Sequence, residues 1–520
     1  MLFIIIFLCI IIFFILMLSF DFSLILDFLS LSGNLWVIEF SFDKASFGIL
    51  TMLFICTSYV FFYSIHYFGD INISNDLNSM ICIFVGVMTA LVLTNDFLST
   101  LIFWEYLGVV SFFLILFYSN YLSLRSSIIT LVSSRFGDVC LFLLICVNCF
   151  IINDYIFGFV CYFLIIFSKS AGFPFISWLL EAMRAPTPVS SLVHSSTLVA
   201  AGVWFIINYD YLIFFDNVYI FSVLLLLTIF ITGVCNFYFV DLKKMVALST
   251  CNNISWCVFY FVFGDIFLSL FQLISHGVSK CVLFMLVGDQ MSGSGGSQSS
   301  NCIYSCSLYG NWNLFSSIVV IIGLCGVPFI GVFFTKHFLL SNFVGLINFP
   351  LYLFVLVCVF LSYLYSFRFC VLLSNTYSSI STGIYFFFGL GLIVYFWLFV
   401  NYFMCSYMEE SILLNGLNSL LIVIFQFMAC IMVYLFYEND FFACISSNLF
   451  GCDNLIELFY CKFFNFLSMV SLSFYRWDNF VITMFNGIGV SYTSVYVNSL
   501  LNIIMVASII CMLFYYVIIY

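Results

Sequence analysis

The chain has 520 residues, of which 65% are hydrophobic and only 7% are charged, and its 23 acidic residues outnumber its 12 Lys and Arg. A soluble domain carries about 25% charged residues, so this composition excludes a soluble fold, a disordered chain and a secreted disulfide scaffold. The shortage of basic residues also excludes nucleic acid as a partner, because a phosphate backbone must be neutralised. The composition therefore indicates a polytopic membrane protein.

The apolar runs along the chain predict about fifteen transmembrane helices. Each run is continuous and about 20 residues long, enough to cross roughly 30 Å of hydrocarbon as a helix, whereas a β-barrel strand would alternate apolar and polar residues. A helix also satisfies its own backbone polar groups where no water is available. The predicted spans are 2–19, 47–66, 80–98, 100–119, 127–151, 155–178, 189–208, 218–240, 245–263, 266–289, 313–334, 350–374, 381–404, 414–436 and 500–519.

Two segments outside the spans have a distinct composition. Residues 291–301 are rich in Gly and Ser, which predicts a flexible loop. Residues 437–499 carry scattered charges among apolar residues, a pattern typical of helices that lie along a membrane or a partner. We expect glycines to interrupt this segment at Gly451, Gly487 and Gly489.

The basic residues near short loops predict the orientation of the helices. Five of them lie near loops that follow even-numbered spans, whereas Lys44 lies in a loop that follows an odd-numbered one. Because cytoplasmic or matrix loops are enriched in Lys and Arg, we expect the even-numbered loops to face the matrix or cytoplasm, together with the 437–499 segment. The five residues are Arg125, Arg184, Lys243, Lys244 and Arg368.

Four charged residues lie inside apolar runs, where they would be expensive. A charge at the bilayer centre costs at least about 2.5–3.5 kcal/mol, yet Lys169, Lys280, Lys336 and Glu105 occupy such runs. Snorkelling from the end of a span, or a structural ion pair, would explain one such residue. Three lysines and a glutamate together favour a function within the membrane.

Further titratable residues accompany these charges. Asp138 follows Arg135 near the start of the fifth span, and His194 and His276 lie on apolar helices. A buried lysine beside an acid can change its protonation state, and histidine titrates near neutral pH. Such a row is typical of a proton relay, and no phosphate loop or zinc-protease motif among the spans indicates other chemistry.

Two spans contain helix-breaking residues. Gly172 and Pro174 lie in the sixth span, and Gly326 and Pro328 lie in the eleventh. Proline removes a helix hydrogen bond and leaves carbonyl groups that a buried charge or water can satisfy. A simple proline kink would explain either break alone, but similar breaks in two halves of a chain are typical of inverted-repeat transporters.

Several motifs, in family order over about residues 40–340, resemble the antiporter-like membrane subunits of respiratory complex I, which are related to Mrp antiporters. Within that family, APTPVSSLVHSSTLVAAGV favours the largest and most distal subunit. The matching runs are LVLTNDFLSTLIFWEYLGVVS at 91–111, RFGD at 135–138, the stretch 167–205, DLKKMVALSTCNNISW at 241–256, FQLISHGVSKCVLF at 271–284 and GVPFIGVFFTK at 326–336.

This resemblance implies an all-α polytopic fold built on two inverted five-helix repeats with broken helices facing a polar axis. It also implies a lateral helix that straps neighbouring subunits together. The expected domains are N-terminal helices at 1–79, repeats at 80–208 and 218–374, further transmembrane helices at 375–436, the lateral segment at 437–499 and a final anchor helix at 500–520.

The resemblance assigns roles to five relay residues. Glu105 and Lys169 match the ion pair of the family. His194 matches the bridging histidine that follows the P-T-P-V motif, and Lys280 matches the central lysine. Lys336 matches the terminal lysine, which implies proton exchange with the intermembrane side.

Five supporting residues include two departures from the family pattern. Asp138 and Arg135 match the family R-x-G-D motif. The family has His-x-x-x-His before the central lysine, whereas this chain has Gln272 and then His276, and glutamine cannot titrate. The residue after the terminal lysine is His337, where the family often has Asp.

We therefore expect a proton-translocating membrane subunit of complex I in the mitochondrial inner membrane. The 73 Phe, 32 Tyr and 22 Cys against 5 Pro indicate a T-rich organellar coding strand. The expected partners are other membrane-arm subunits, especially the subunit 4-like neighbour, with accessory subunits and membrane lipids. No cofactor is expected on this chain, since FMN, iron–sulfur clusters and quinone belong to other subunits, and a bound phospholipid such as cardiolipin is compatible with this role.

Two alternatives remain open at this point. One is an Mrp-type cation/proton antiporter subunit, which shares the motifs. The other is a structural membrane subunit that anchors the assembly and does not pump, an idea that Gln272 supports.

Overall fold

The computed structural model shows an almost entirely helical protein, and eleven helices among its described residues are long and apolar enough to cross a membrane. This confirms the predicted fold class. The chain divides into two units, 1–453 and 454–520. The structure describes residues 22–31, 34–149, 155–209, 219–263, 266–306, 312–327, 331–346, 349–379, 416–437, 449–485 and 502–512.

The described part of the first unit begins with an antiparallel hairpin that the sequence analysis did not predict, formed by β1 (Phe22–Leu31) and β2 (Asn34–Phe42). Helix α1 (Lys44–Phe68) follows, and the side chains of Asp43 and Ser46 cap its first turn. It ends where Gly69 adopts a left-handed conformation with a φ of 65°.

The next helices form the first set of five. Helices α2 (Ile71–Leu93), α3 (Phe97–Ile115) and α4 (Tyr121–Cys149) are continuous. Each packs against the helix that follows it in the chain. The fourth and fifth members are interrupted and consist of α5 (Tyr155–Ser170) with α6 (Ser177–Glu181), and α7 (Thr187–Ser195) with α8 (Leu198–Asn208).

The break between α5 and α6 is the predicted one, around Gly172 and Pro174. There the Gly172 amide donates to the carbonyl of Phe167 at 2.9 Å, which closes the end of α5. The predicted span at 189–208 is confirmed as an apolar span at Thr187–Asn208, but it is interrupted between α7 and α8. Thr197 is not helical (φ −115°, ψ −86°), and its hydroxyl donates to the Leu192 carbonyl at 3.0 Å, a contact that competes with the helical backbone bonds.

The second set of five repeats this arrangement. Helices α9 (Tyr219–Tyr238), α10 (Leu242–Phe263) and α11 (Ile266–Gly293) are continuous. The interrupted fourth member consists of α12 (Trp312–Cys325) and α13 (Phe333–Leu346), and the fifth is α14 (Phe349–Ser374). Gly326, with a φ of 85°, lies at the predicted break, while Pro328 lies outside the described residues.

The two sets run in opposite directions. In both, the interrupted fourth helix packs against the fifth, as α5 does with α8 and α12 does with α14. Helix α2, the first of its set, begins at the end of the bundle where α9, the first of the other set, ends. This geometry fits the predicted inverted repeats, whose boundaries at 80–208 and 218–374 stay predictions.

Five basic residues lie together at one end of the bundle, which we call the basic end. The Lys243 Nζ lies 3.5 Å from the carbonyl oxygen of Ala185, and Arg368 donates to the carbonyl of Phe239 at 3.0 Å. The rings of Phe68 and Phe117 join the ends of α1 and α3 there, with centroids 5.8 Å apart. The members are Arg125, Arg184, Lys243, Lys244 and Arg368, and Lys44 begins α1 at the opposite end.

The central helices are surrounded by protein rather than by lipid. The segment Thr187–Asn208 and helices α10 and α11 are about nine-tenths buried, whereas α2 and α3 are about two-fifths buried. Polar groups on the central helices must therefore find partners within the protein or in water.

Some helix bounds differ from the predicted spans. Helix α4 begins at Tyr121 rather than at 127, so Asp138 lies in the middle of the helix and not near its start. Helix α11 extends to Gly293 and so includes the start of the predicted loop at 291–301. The rest of that loop is bound to the start of α10, because the Leu242 amide donates to the Gln298 carbonyl at 3.1 Å. The predicted spans 2–19 and 381–404 lie outside the described residues.

The remaining elements are short sheets and late helices. Strands β3 (Tyr304–Cys306) and β4 (Tyr377–Ser379) pair in parallel, and α15 (Gly416–Phe436) matches a predicted span. Helix α16 (Cys452–Phe485) begins directly after Gly451, as expected, and its 34 residues extend about 51 Å. Gly487 and Gly489 lie outside the described residues, and α17 (Asn502–Met512) covers part of the predicted anchor.

Candidate functional site

The three lysines from the apolar runs all lie in the protein interior. Their exposed fractions are 0% for Lys169, 2% for Lys280 and 3% for Lys336. Snorkelling to an interface is therefore excluded for each of them, because a snorkelling head group reaches water. The contacts around each ammonium group show how the fold holds it.

Lys169 lies in the last turn of α5, just before the break. Its Nζ lies 3.5 Å from the carbonyl oxygen of Trp104 and 5.2 Å from the centre of the Trp104 ring. Gly108, one turn further along α3, packs closely against Ser134, since a Cβ there would lie 3.3 Å from the Ser134 Oγ and 3.9 Å from the Lys169 Nζ. The cavity beside Lys169 is lined by apolar side chains, among them Ile115, Trp178, Val193 and Leu198, and by the hydroxyl residues Ser111, Thr130, Ser133, Ser134 and Ser168.

An arginine holds the two acidic residues near Lys169. The guanidinium of Arg135 lies 3.2 Å from the carboxylate of Asp138, which is 4% exposed, and 3.6 Å from that of Glu105. The family resemblance had implied that Glu105 pairs directly with Lys169. In the structure, Glu105 pairs with Arg135 instead. The reason is geometric, because Arg135 lies one turn before Asp138 and also reaches across to α3.

His194 lies at the end of α7, next to the break that the sequence did not reveal. It is 1% exposed, and its ring lies between those of Trp178 and Phe284, each with its centre 6.4 Å away. Neither ring nitrogen has a hydrogen-bond partner among the described residues. Trp178 also lines the cavity beside Lys169, so His194 lies between the surroundings of the first lysine and α11.

Lys280 lies on α11 and donates a hydrogen bond from its Nζ to the hydroxyl of Ser249 on α10. A cavity large enough for a water molecule adjoins it. Polar side chains from three helices reach this cavity, so water there would find hydrogen-bond partners. They are Asn236, Ser249, Asn253, Tyr365 and Ser366.

His276 and Gln272 lie one and two turns before Lys280 on the same face of α11. Both are completely buried. The amide oxygen of Gln272 accepts a hydrogen bond from the hydroxyl of Thr335 at 2.7 Å, which links α11 to α13. Thr335 directly precedes Lys336, so Gln272 connects the two lysine-bearing helices although it cannot titrate.

Lys336 lies in the first turn of α13. Its Nζ donates to the carbonyl oxygen of Cys325 at 2.7 Å and to the hydroxyl of Ser362 at 2.9 Å. Helix α12 ends at Cys325, so the break frees that carbonyl and a buried lysine satisfies it, as the sequence analysis expected in general terms. His337 is also buried, with its ring centre 5.7 Å from that of Phe333.

Several contact residues escaped the sequence analysis. Ser249, Thr335 and Ser362 bind the relay residues through hydroxyl groups. Hydroxyl residues are common in membrane helices and usually bond to their own backbone, so the sequence contains no signal that separates these three from the rest. Arg368 was read as a loop residue, but it is buried and donates to the last carbonyls of α9.

The hydrogen bond between Gln272 and Thr335 leads to a first prediction. Gln272→Leu and Thr335→Val should each slow proton movement between Lys280 and Lys336 several-fold, because each removes the side-chain link between α11 and α13. The loss in stability should stay near about 1 kcal/mol, since the Thr335 hydroxyl already donates to the Val332 carbonyl at 2.9 Å as well. The rate is measured as acidification of liposomes that contain the purified assembly.

A double variant provides the control for this prediction. If the two residues act through their shared bond, the double variant should be no slower than either single variant. Independent effects that multiply would contradict the link.

Comparisons with known proteins agree with one another. A protein-family model described as NADH:quinone oxidoreductase/Mrp antiporter, TM, matches residues 94–364, which include the buried Lys169, Lys280 and Lys336. NADH-ubiquinone oxidoreductase chain 5 of Caenorhabditis elegans is 35% identical over 355 residues, which cover 66% of this chain and 65% of that relative. The chain 5 protein of Anopheles arabiensis is 33% identical over 336 residues, covering 61% of this chain and 86% of that one.

The match to the full-length relatives is partial. The aligned part spans 65% of the Caenorhabditis elegans protein and 63% of the Ascaris suum protein, which is less than two thirds of each.

Two solved structures share the fold. An Mrp complex from Dietzia sp. DQ12-45-1b matches with a TM-score of 0.68 and 18% identity, covering 88% of this chain and 56% of that one. The membrane-bound sulfane sulfur reductase, an archaeal respiratory membrane complex, matches with a TM-score of 0.61 and 16% identity, covering 75% of this chain and 69% of that one. At these identities the likeness establishes a common fold.

Proposed function

The chain belongs to the NADH:quinone oxidoreductase/Mrp antiporter family, and from this premise we propose that it is a proton-translocating membrane subunit of an NADH:ubiquinone oxidoreductase, respiratory complex I. The observation that carries the proposal is the burial of Lys169, Lys280 and Lys336 inside the region that the family model matches.

The contacts of the lysines suit proton exchange. Among the described residues, none of the three Nζ atoms has a carboxylate within ion-pairing distance. Their hydrogen-bond partners are hydroxyl groups and backbone carbonyls. A lysine with neutral partners can lose its proton without leaving an unpaired carboxylate in the interior.

The order of the groups supports a continuous route. Lys336 is next to Thr335, which bonds to Gln272, and His276 and Lys280 follow on the same face of α11. His194 then lies between the Phe284 ring on α11 and Trp178, which lines the cavity of Lys169. A charge that arrives at one group changes the electrostatic energy of the next, and water in the two cavities would complete the proton path.

In this proposal the redox chemistry takes place on other subunits. NADH, FMN, iron–sulfur clusters and quinone are bound there, and their energy reaches this chain as electrostatic and conformational change. This chain itself holds and moves protons at the lysine Nζ and histidine ring atoms.

The exposure of Glu105 supports a neighbouring membrane subunit as partner. Glu105 lies halfway along α3, and its side chain is 50% exposed in the isolated chain. A carboxylate facing lipid at that depth is costly, so we propose that a subunit 4-like neighbour of the membrane arm covers this face. Cardiolipin and accessory subunits would contact the remaining lipid-facing helices.

We place this subunit in the mitochondrial inner membrane, with its basic end in the matrix. The positive-inside rule supports the orientation, and the bias toward Phe, Tyr and Cys supports an organellar origin. The described part of the 437–499 segment is one long helix with exposed aromatic side chains, which suits the proposed lateral strap.

A native gel of mildly solubilised mitochondrial membranes tests the proposal. We expect this chain to co-migrate with the large band that oxidises NADH, identified by activity staining and mass spectrometry. Its presence only in a smaller, inactive band would contradict assembly into complex I. The Mrp-type antiporter, which the shared fold supports as the second candidate, would then predict sodium-dependent proton exchange.

A further inference from the structure

A second cluster of titratable groups lies at the basic end, outside the relay described above. The His66 Nε2 in the last turn of α1 lies 3.5 Å from a carboxylate oxygen of Asp289 near the end of α11. His66 is 26% exposed at its side chain, whereas Asp289 is only 2% exposed. The pair therefore leads from the surface into the interior.

Other ion pairs at the same end are different. In the pairs of Lys244 with Asp241 and of Arg184 with Glu181, every side chain is between 31% and 41% exposed. Such surface pairs need no explanation beyond solvation. Burial of the Asp289 carboxylate is expensive by comparison, and its place beneath a partly exposed histidine calls for a function.

The cluster continues inward through hydroxyl groups. The Tyr63 hydroxyl and the side chain of Thr187 both lie against Gly288, the residue that precedes Asp289. Gly288 makes this approach possible, because a Cβ at that position would collide with the Tyr63 hydroxyl. Thr187 is the first residue of α7, the helix that carries His194.

Helix α7 extends the polar path to the relay. Thr187, Ser191 and His194 share one face of this helix, which rises about 10 Å between the first and the last. The His194 ring at the end of this face lies with its centre 6.4 Å from that of Phe284, which is one turn after Lys280 on α11. The path from the surface therefore ends beside the central lysine.

We propose that the His66–Asp289 pair is where protons are taken up from the basic end of the protein. This inference deepens the proposed function and rests on it. His66 takes a proton from surface water at one ring nitrogen and releases one from the other to the Asp289 carboxylate. The Tyr63 oxygen accepts that proton while its own hydroxyl proton moves to the Thr187 oxygen, and Thr187 in turn gives up its hydroxyl proton along α7 toward His194. The cycle closes, with one proton moved, when the His66 ring turns back to its starting tautomer.

The test uses the complete complex in liposomes, with the initial rate of proton uptake from the basic end as the readout. Asp289→Asn and His66→Gln should each lower this rate about tenfold or more, because each removes a proton carrier. Asp76→Asn is the matched control, since Asp76 is an exposed acid near the start of α2 at the same end, and it should leave the rate unchanged.

Chemical rescue separates a proton carrier from a structural residue. For His66→Ala, added imidazole should restore uptake, whereas pyrazole has nearly the same shape but is not protonated near neutral pH and should not. Equal restoration by both compounds would show that the ring only fills space. If Asp289→Asn fails to assemble on a native gel, Tyr63→Phe keeps the ring, removes only the hydroxyl, and should slow uptake by itself.

Lys280→Met distinguishes the two levels of the proposal. If Lys280→Met stops translocation while Asp289→Asn and His66→Gln behave like the wild type, the pair is structural and the uptake site is overturned, with the proposed function intact. If Lys280→Met also behaves like the wild type, the proposed function itself is wrong.

Discussion

Lys280→Met is expected to abolish the proton translocation that depends on this subunit, which lowers the number of protons moved per NADH oxidised. Methionine has nearly the same length and remains apolar, so α11 should keep its position against α10. Methionine cannot carry a proton, however, and the Ser249 hydroxyl loses the hydrogen bond that it accepts from the ammonium group of Lys280. The measurement is the quenching of a pH-sensitive dye in liposomes that contain the complex, energised with NADH and ubiquinone.

Lys244→Met provides the control for the loss of one positive charge. Lys244 lies at the basic end, pairs with Asp241 at 3.3 Å and is 41% exposed, so it plays no part in the interior route. We expect translocation to be unchanged in this variant. If the Lys280→Met variant assembles normally and translocates protons at the wild-type rate, the result would instead support the alternative of a structural membrane subunit that does not pump.

The sequence was sufficient to predict that three lysines are buried. Lys169, Lys280 and Lys336 lie in apolar runs, and the cost of a charge in hydrocarbon leaves burial within the protein as the only inexpensive solution. The break after Cys325 was predictable for a similar reason, because Gly326 favours the left-handed backbone that ends α12. Both features depend on local composition, which a single sequence contains.

The pairing of the charges could not be predicted in the same way. Arg135 reaches carboxylates on two different helices, and only the packing of α3 against α4 determines that Glu105 is one of them. The bond between Gln272 and Thr335 likewise depends on how α11 meets α13. The break before Leu198 contains neither glycine nor proline, since the hydroxyl of Thr197 competes for carbonyl groups there.

Arg135→Leu is expected to destabilise the protein and to slow the first part of the relay. Removal of one partner from a buried ion pair costs about 3–5 kcal/mol, and we expect the lower end because Arg135 is 38% exposed. The Asp138 carboxylate would then turn to Lys169 on α5, because the neighbouring residues Gly137 and Ser168 pack directly against each other. A lysine held by a carboxylate exchanges its proton less readily, so translocation per assembled complex should fall together with the thermal stability.

The double variant Arg135→Leu/Asp138→Asn separates these two effects. Asparagine is neutral, so no unpaired charge remains in the interior, and the midpoint of thermal unfolding of the solubilised complex should recover most of the loss. Glu105 would still lack its arginine, but its half-exposed carboxylate can be solvated or can meet a neighbouring subunit. If the double variant is as unstable as Arg135→Leu alone, Arg135 stabilises the fold through its stem contacts, and the electrostatic account of the Arg135–Asp138 pair is wrong.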